Sequence, residues 1–378
     1  MEFKLILKKI NEELNEEEMA IFNKWYNESE EHRLFFKRVQ ENRLKGKSIV
    51  DIKSGWDAIS TRINPKRKSK GNFKIAAAIA AILVVGSILF VLDNRPNNPK
   101  VNITPMLDQN SILAGTDRAI LTLEDGSNVV LEKGKEYKTP NIFSNGSQLV
   151  YKNASDAKIS TTIYNILTIP RGGQFYIVLA DGTQVWLNSD SKLKYPKTFK
   201  ENAPRQVELV YGEAYFDVTP SSEHKGSEFI VEHREQRINV LGTEFNIKAY
   251  QEEEIIATTL VEGKVALENG ITSNHLLPGQ QAILNIENKQ ISINPVDVYN
   301  EVSWKTGFFS FKNKSLEDIT KVLSRWYDIE VIFAREDIKQ ITFTGVFKKV
   351  QDINEILKSI ESTNEVTYSI NQKTITMK

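Results

Sequence analysis

Residues 179–187 read LADGTQVWL, and residues 123–131 repeat the same order of residue types as LEDGSNVVL. In each stretch an Asp-Gly pair separates a leading leucine from a run that alternates polar and apolar residues. Glycine tolerates the positive φ that a tight turn needs, so each stretch predicts a strand, a hairpin turn and another strand. The repeat therefore favours a β-sandwich or β-solenoid made of hairpins over an α/β fold.

The same β pattern extends to both sides, over residues 112–297. Short runs of valine, isoleucine, leucine, threonine and aromatic residues alternate there with polar residues. Asp-Gly, Gly-Gly and Pro-Gly pairs separate the runs, as is typical of turns between strands. We predict an all-β region.

Four carboxylates in this region invite a catalytic interpretation. Asp125 and Asp181 directly precede turn glycines, so we expect them to cap turns rather than to form a pair of catalytic acids. Glu213 and Asp217 flank the aromatic pair Tyr215-Phe216, which suggests a carbohydrate cleft. The alternation of a strand nevertheless predicts that both carboxylates point to solvent.

The pattern changes again in residues 298–378, which predict a C-terminal α+β module of order β-α-β-β-α-β-β. The predicted strands are 308–311, 329–333, 341–346, 366–370 and 374–377. The predicted helices are 316–326 and 353–360. Exposed sheet edges in such a module are suited to the addition of a strand from a partner.

The longest apolar run is IAAAIAAILVVGSILFVL, residues 75–92. Its eighteen residues contain no charge, amide or proline. At about 1.5 Å per residue a helix of this length approaches the ~30 Å hydrocarbon core of a bilayer. We therefore predict a transmembrane helix over residues 73–92. A buried core helix is the alternative, but such helices usually keep a polar face, and Ser87 is the single polar side chain here.

Charges on the two sides of this run differ. The basic residues that precede it are Lys66, Arg67, Lys68, Lys70 and Lys74. Behind it come Asp93, a single arginine and an extended linker rich in asparagine and proline, residues 93–111. Basic residues favour the cytoplasmic side, so the bias predicts a cytoplasmic N-terminus and an exported C-terminal part.

Residues 1–72 have the pattern of a small all-helical unit. Asn15 followed by Glu18 predicts a capping box, and aromatic residues then recur at helical spacing. A unit of this size buries a limited core. Trp25 and Trp56 are thus either core residues or residues shared with a partner protein.

Composition excludes several classes of function. The chain has 378 residues, of which 26% are charged, and a mean hydropathy of -0.36, which excludes a polytopic transporter. It contains no cysteine, and its four histidines lack the spacing of metal ligands, so we expect neither metal nor cofactor. A net charge of +0 argues against a general nucleic-acid surface.

Motifs in residues 112–378 resemble, in their order along the chain, the FecR-type anti-sigma factors, in the version common in the Bacteroidetes. They are TIPRGG at 168–173, LADGTQVWLN at 179–188, GEAYFDV at 212–218, VLGTEFNI at 240–247, PGQQA at 278–282, WKTG at 304–307 and RWYD at 325–328. The N-terminal helical unit fits this family by position and pattern.

The resemblance implies a regulator rather than an enzyme. Such a protein binds an extracytoplasmic-function sigma factor in the cytoplasm and crosses the bacterial inner membrane once. It releases the sigma factor on a periplasmic signal from a TonB-dependent outer-membrane receptor, through cleavage by periplasmic and then intramembrane proteases. The C-terminal module resembles the short N-terminal domain of secretins and TonB-dependent receptors, which implies contact with the signalling domain of the receptor.

The predicted fold class is therefore multidomain. Its parts are a cytoplasmic all-α anti-sigma bundle (1–72), a transmembrane helix (73–92), a periplasmic linker (93–111), a FecR-type β domain (112–297) and a C-terminal α+β module (298–378). The candidate sigma-binding residues are Phe22, Trp25, Tyr26 and Trp56. The candidate receptor-contact residues are Trp304, Arg325, Trp326 and Tyr327.

One motif suggests chemistry. Some FecR-type proteins cleave themselves at a Gly-Thr bond, which corresponds here to Gly242-Thr243. The threonine hydroxyl attacks the preceding carbonyl in an N-to-O acyl shift, and glycine leaves the carbonyl accessible. The alternative is local: Gly242 permits a tight backbone, and Thr243 forms a hydrogen bond nearby.

Two other functions stay open from the residues alone. The β region could belong to a membrane-anchored periplasmic glycan-binding protein or enzyme, with the N-terminal helices as a passive tail. The C-terminal module by itself could indicate a structural protein of the secretin type. Sigma binding by the N-terminal unit would distinguish an anti-sigma factor from both of these alternatives.

Overall fold

The computed structural model describes residue 9 and residues 14–28, 112–152, 162–234 and 236–378. The chain divides into two compact units, residues 1–102 and residues 103–378.

In the first unit, α1 (Glu16–Glu28) begins directly after Asn15. The backbone N–H of Glu18 donates to Oδ1 of Asn15 at 2.8 Å, and the backbone N–H of Asn15 donates to Oε2 of Glu18 at 3.3 Å. These reciprocal bonds satisfy N–H groups that a helix start leaves without partners. The predicted capping box is confirmed.

The structure differs from the predicted fold class and location. Strand is the commonest secondary structure in the described residues, and α1 is the helix they contain where an all-α bundle was predicted. No helix among the described residues is both long and apolar enough to cross a membrane. At about 1.5 Å per residue, the 13 residues of α1 fall well short of a bilayer core, and three glutamates open the helix. The predictions of an N-terminal bundle and of a single-pass inner-membrane protein are therefore wrong for the described chain; residues 73–92 lie outside it.

The second unit begins with eighteen strands. They are β1 (Thr116–Thr122), β2 (Asn128–Glu132), β3 (Tyr137–Lys138), β4 (Ile142–Ser144), β5 (Gln148–Tyr151), β6 (Tyr164–Ile169), β7 (Gly173–Val178), β8 (Gln184–Leu187), β9 (Ser191–Pro196), β10 (Arg205–Asp217), β11 (Phe229–His233), β12 (Gln236–Val240), β13 (Glu244–Ala249), β14 (Ile255–Glu262), β15 (Val265–Glu268), β16 (Ser273–Leu276), β17 (Gln280–Asn285) and β18 (Ile291–Pro295). We call residues 112–297 the β region.

Strand β10 connects two ladders of this region. Its first half pairs with β9 and β11, and after a register shift between Leu209 and Tyr211 its second half pairs with β8 and β13. One ladder runs β2-β1-β6-β9-β10-β11-β12-β15-β16. The other runs β3-β4-β5-β7-β8-β10-β13-β14-β17-β18. A bulge of this kind lets one strand bend from one ladder into the other.

Alternating apolar side chains of both ladders meet in one core. Phe216 of β10 stacks on Phe245 of β13, with ring centroids 5.2 Å apart. The β1–β2 and β7–β8 hairpins turn at Gly126 and Gly182, whose φ values are 83° and 87°. Both Asp-Gly pairs thus form the predicted hairpin turns.

Asp125 and Asp181 cap these turns, as predicted. Oδ1 of Asp125 accepts from the N–H of Ser127 at 2.8 Å, and Oδ1 of Asp181 accepts from the N–H of Thr183 at 3.1 Å. Asp181 also forms a buried ion pair with Arg205, with 2.9 Å between Nη1 and Oδ2. These contacts account for both carboxylates as parts of the fold.

The remaining elements form the C-terminal module, residues 298–378; a short helix that was not predicted comes first, and the elements from residue 308 onward follow the predicted order. They are α2 (Val298–Val302), β19 (Phe308–Ser315), α3 (Leu316–Tyr327), β20 (Glu330–Phe333), β21 (Thr342–Lys348), α4 (Ile353–Glu361), β22 (Tyr368–Asn371) and β23 (Thr374–Met377). Strands β19 and β21 pair with each other, and β23 lies between β20 and β22. The buried faces of α3 and α4 pack with these strands in a second core.

Candidate functional site

The described sigma-binding candidates lie on α1. Phe22 is buried and Tyr26 is half-buried, and their rings stack with centroids 5.7 Å apart. They are one helical turn apart, so they share one face of the helix. The side chain of Trp25 and all of Trp56 lie outside the described residues.

Gly242 and Thr243 form the turn between β12 and β13. Gly242 has a φ of 139°, a conformation that a residue with a Cβ rarely adopts. The Thr243 hydroxyl donates to the carbonyl of Lys264 at 2.9 Å. A Cβ on Gly263 would lie 2.8 Å from both the Gly242 carbonyl oxygen and the Thr243 hydroxyl. Gly242 thus allows a tight backbone turn and Thr243 forms a nearby hydrogen bond, whereas self-cleavage stays a prediction.

The four receptor-contact candidates are buried where the C-terminal module meets the β region. The indole Nε1 of Trp326 donates to the carbonyl of Lys349, and the Tyr327 hydroxyl donates to the carbonyl of Gln351, each at 2.7 Å. Trp304 lies 5.7 Å from the Lys349 ammonium. Trp326 and Tyr327 belong to the buried core of the module itself.

Arg325 binds the β region through charge. Its Nε and Nη2 donate to Oε1 of Glu252 at 2.9 and 2.6 Å, and its Nη2 also donates to Glu253. The guanidinium carbon lies 3.5 Å from the centre of the Tyr250 ring. A planar guanidinium suits both contacts, because it can bond carboxylates in its plane and stack through its face.

The backbone of α3 is held as well. Arg171 donates from Nη2 to the carbonyl of Ser324 at 2.8 Å and to that of Ile329. The N–H of Gly172 donates to the carbonyl of Arg325 at 2.6 Å. At Gly115 a Cβ would lie 2.7 Å from the Trp326 ring, so the tryptophan uses space that glycine leaves open.

Beneath Arg325, Glu213 is buried, which corrects the prediction that this carboxylate points to solvent. It accepts from Nδ2 of Asn188 at 2.8 Å and from Nδ2 of Asn246 at 3.0 Å. The Tyr250 hydroxyl lies 3.4 Å from its Oε2. Burial raises the pKa of Glu213 above its ordinary value, against the effect of these donors and of nearby cations. Asp217, the other flanking carboxylate, is half-buried.

Lys349 also lies where the module contacts the β region, a contact that we call the junction. Its ammonium donates to Oε1 of Gln174 at 2.7 Å and lies 3.8 Å from the centre of the Trp326 ring. Oδ1 of Asn188 is 3.5 Å away, so Asn188 links Lys349 to Glu213. Burial lowers the pKa of Lys349 to about 7.

A cavity of about 20 Å³ lies at the junction, and Glu213, Tyr250 and Arg325 are in its wall. That volume is about what one water molecule needs, and the walls offer polar partners to it. Sequence reasoning missed Glu213, Lys349 and the Glu252–Glu253 pair as parts of this junction. Only the GEAYFDV motif pointed toward any of them.

A larger cavity of about 460 Å³ opens on the other side of α3. It is lined by the β20 strand, the side of α3 that carries Thr320 and Lys321, and Arg171. Strand β20 pairs with β23 and is the edge of its three-stranded sheet. The side chain of Ile332 in β20 is 52% exposed, so an apolar residue is accessible beside an edge strand.

Known protein families match both the β region and the C-terminal module. Residues 165–266 match the family model described as FecR protein, and residues 308–377 match the model described as FecR, C-terminal. No curated protein matches the chain.

Solved structures extend the comparison. Two crystal structures of a "putative anti-sigma factor" from Parabacteroides distasonis ATCC 8503 are each 28% identical to this chain. One covers 56% of this chain and 98% of its own, with a TM-score of 0.52, and the other covers 57% and 98%, with a TM-score of 0.51. Both domain matches lie in order in one compact unit, and together with these structures they support a FecR-type anti-sigma factor.

Proposed function

We propose that this protein is a regulator that binds a sigma factor of the extracytoplasmic-function class and holds it inactive. The observation that carries the proposal is the FecR domain followed by the FecR C-terminal domain, in a chain whose alignment covers 98% of the solved Parabacteroides distasonis chain. A sigma-regulating role is the function that these matches support. The sigma class, the signal and the release step are our inferences.

The sigma-binding element in this proposal includes α1. A protein that covers an apolar face of a sigma factor keeps that face from RNA polymerase. Tyr26 supplies half-buried aromatic surface on the face of α1 that it shares with the buried Phe22, and aromatic side chains dominate the binding energy of many interfaces. Trp25 and Trp56 remain proposed contacts.

Sigma binding can be tested with the full chain. Co-expressed with extracytoplasmic-function sigma factors of its own genome, the chain should copurify with one of them and repress a reporter that this sigma factor drives. Tyr26→Ala should weaken binding by about tenfold or more, the loss typical of an aromatic contact at the centre of an interface. Asn23→Ala, at an exposed position of the same helix, is the matched control and should bind normally.

Absence of any sigma partner, together with an unrepressed reporter, contradicts the proposal. Equal binding by Tyr26→Ala and Asn23→Ala would remove α1 from the interface while leaving the regulator in place. A circular-dichroism spectrum of each variant shows that the helix is retained.

The signal in this proposal comes from the signalling domain of a TonB-dependent receptor, which binds the C-terminal module. The edge strand β20 and the adjacent cavity support this choice, because an edge strand can accept a strand from a partner. A pull-down with the full chain, with quantification of sigma factors and TonB-dependent receptors, tests it. Recovery of the sigma factor without any receptor, under conditions that induce the sigma regulon, would contradict the receptor step.

Release of the sigma factor is proposed to occur by proteolysis. Immunoblots of induced cells should then show shortened forms of the chain when the reporter is active. If the reporter is active while all of the chain stays at full length, proteolysis is not the release step.

Self-cleavage at Gly242-Thr243 is a separate prediction. The Thr243 hydroxyl would attack the Gly242 carbonyl carbon, the peptide C–N bond would break, and the hydroxyl proton would pass to the freed amine; water then hydrolyses the ester. Purified chain should yield fragments 1–242 and 243–378, and Thr243→Ala should remain whole. Thr272→Ala, at an exposed position, should cleave like the parent. Cleavage of Thr243→Ala at the same bond would refute the prediction.

A further inference from the structure

The outer face of the β7-β8-β10 ladder carries a row of aromatic side chains. In the strand register, Tyr176 lies opposite Trp186, and Trp186 lies opposite Tyr215. The ring centroids of Trp186 and Tyr215 are 5.8 Å apart, and the ring planes meet at 79°. The two rings therefore form a corner with both π faces turned inward.

A row of carboxylates runs beside these aromatic residues. Asp217 of β10 lies opposite Glu244 of β13, and Glu244 lies opposite Glu262 of β14. The hydroxyl of Tyr215 donates to Glu244, which fixes the ring against the acidic row. Like charges directly opposite each other in a sheet are unfavourable unless a cation compensates them. The corner of aromatic rings thus lies next to a place that requires positive charge.

An ammonium group occupies this corner. Nζ of Lys305 lies 3.9 Å from the centre of the Trp186 ring and 3.8 Å from the centre of the Tyr215 ring. Both distances are well inside the ~6 Å limit of cation–π attraction. Burial lowers the pKa of Lys305, and the carboxylates of Glu244 and Asp217 act against that decrease.

Lys305 does not belong to the sheet that forms the corner. It lies in the short 3-10 turn Ser303–Thr306, between α2 and β19, where the β region gives way to the C-terminal module. The aromatic and acidic residues lie on strands of the β region. The corner is therefore complete without Lys305, and its occupant comes from a segment outside the β region.

We propose that Trp186, Tyr215, Asp217 and Glu244 form a binding site for a lysine ammonium group, which Lys305 occupies in cis and for which a lysine of a partner protein competes. The chemistry of the corner selects this ligand: two π faces and a row of carboxylates recognise a primary ammonium on a flexible alkyl chain. The site is independent of the sigma-binding proposal, because it rests on contacts within the β region and its junction.

Calorimetry on the full chain tests the site, with N-acetyl-lysine amide as ligand. Lys305→Ala should bind this ligand about tenfold or more tightly than the parent chain, because the cis occupant no longer competes. The Nε-acetylated form of the ligand is neutral and should not bind. Lys312→Ala removes an exposed lysine of β19 and should bind no better than the parent.

The double variant Lys305→Ala/Trp186→Leu should lose the binding gained by Lys305→Ala. If Lys305→Ala is only marginally stable, the same ligand should raise its thermal midpoint, whereas the acetylated ligand should leave it unchanged. Equal affinity of Lys305→Ala and Lys312→Ala, or binding that survives Trp186→Leu, would overturn the proposal.

Discussion

Replacing Arg325 by methionine should lower the free energy of unfolding of the chain by about 3 kcal/mol, because it leaves buried carboxylate charge without its partner. Arg325 is buried and bonds both Glu252 and Glu253. Nζ of Lys248 stays 3.0 Å from Oε2 of Glu253 and partly compensates its charge. Breaking a buried ion pair usually costs about 3–5 kcal/mol, so we expect a loss at the low end of that range. Methionine retains much of the apolar stem.

A denaturant titration of Arg325→Met against the parent chain measures this change. Arg335→Met is the matched control, because Arg335 forms an ion pair with Asp337 in which both side chains are more than 60% exposed. Solvent screens an exposed pair, so the control should unfold close to the parent. Equal losses for the two variants would show that Arg325 does not bind the module to the β region.

The second large effect concerns pH. Between pH 7 and pH 10 the free energy of unfolding of the parent chain should rise by about 3 kcal/mol relative to Lys349→Met. Burial lowers the pKa of Lys349 from 10.5 to about 7, although Glu213 and Asp117 act to raise it. In that window the unfolded chain binds the proton and the folded chain does not, so raising the pH favours the folded state.

Unfolding midpoints at several values of pH, for the parent and for Lys349→Met, give the difference directly. Lys348→Met changes the exposed neighbour in β21 and should keep the pH dependence of the parent. A parent chain whose stability relative to Lys349→Met is flat or falls from pH 7 to pH 10 would show that Lys349 is charged when folded. The Trp326 ring and Gln174 would then stabilise a buried ammonium enough to offset its desolvation.

Local chemistry made several features predictable from the sequence. Asn15 and Glu18 are close along the chain, so their reciprocal bonds follow from residue type and spacing. Gly126 and Gly182 lie in turns whose φ they alone tolerate well, so the hairpins follow too. The order of elements in the C-terminal module was also correct, because each helix and strand there has its own period of apolar residues.

Apolar patterns were less informative where partners are distant. The alternation in β10 predicted a solvent-facing Glu213, yet the module packs over that face of the strand and buries the carboxylate. Asn246 and Lys349, which surround it, lie far away in sequence. The N-terminal bundle and the membrane-spanning helix were predicted from composition and period, and the described residues do not bear them out.

By itself the sequence determined the hairpins of the β region, the order of elements in the C-terminal module and the family, because turn glycines, apolar periods and short motifs act within a few residues. The tertiary structure decided what the motifs do together. It brought Arg325 to Glu252, Lys349 to the Trp326 ring and Lys305 into the corner of Trp186 and Tyr215. Such contacts depend on which faces meet when the module packs on the β region. Burial then decides their charge states, since a charge removed from water is stabilised only by the groups that face it.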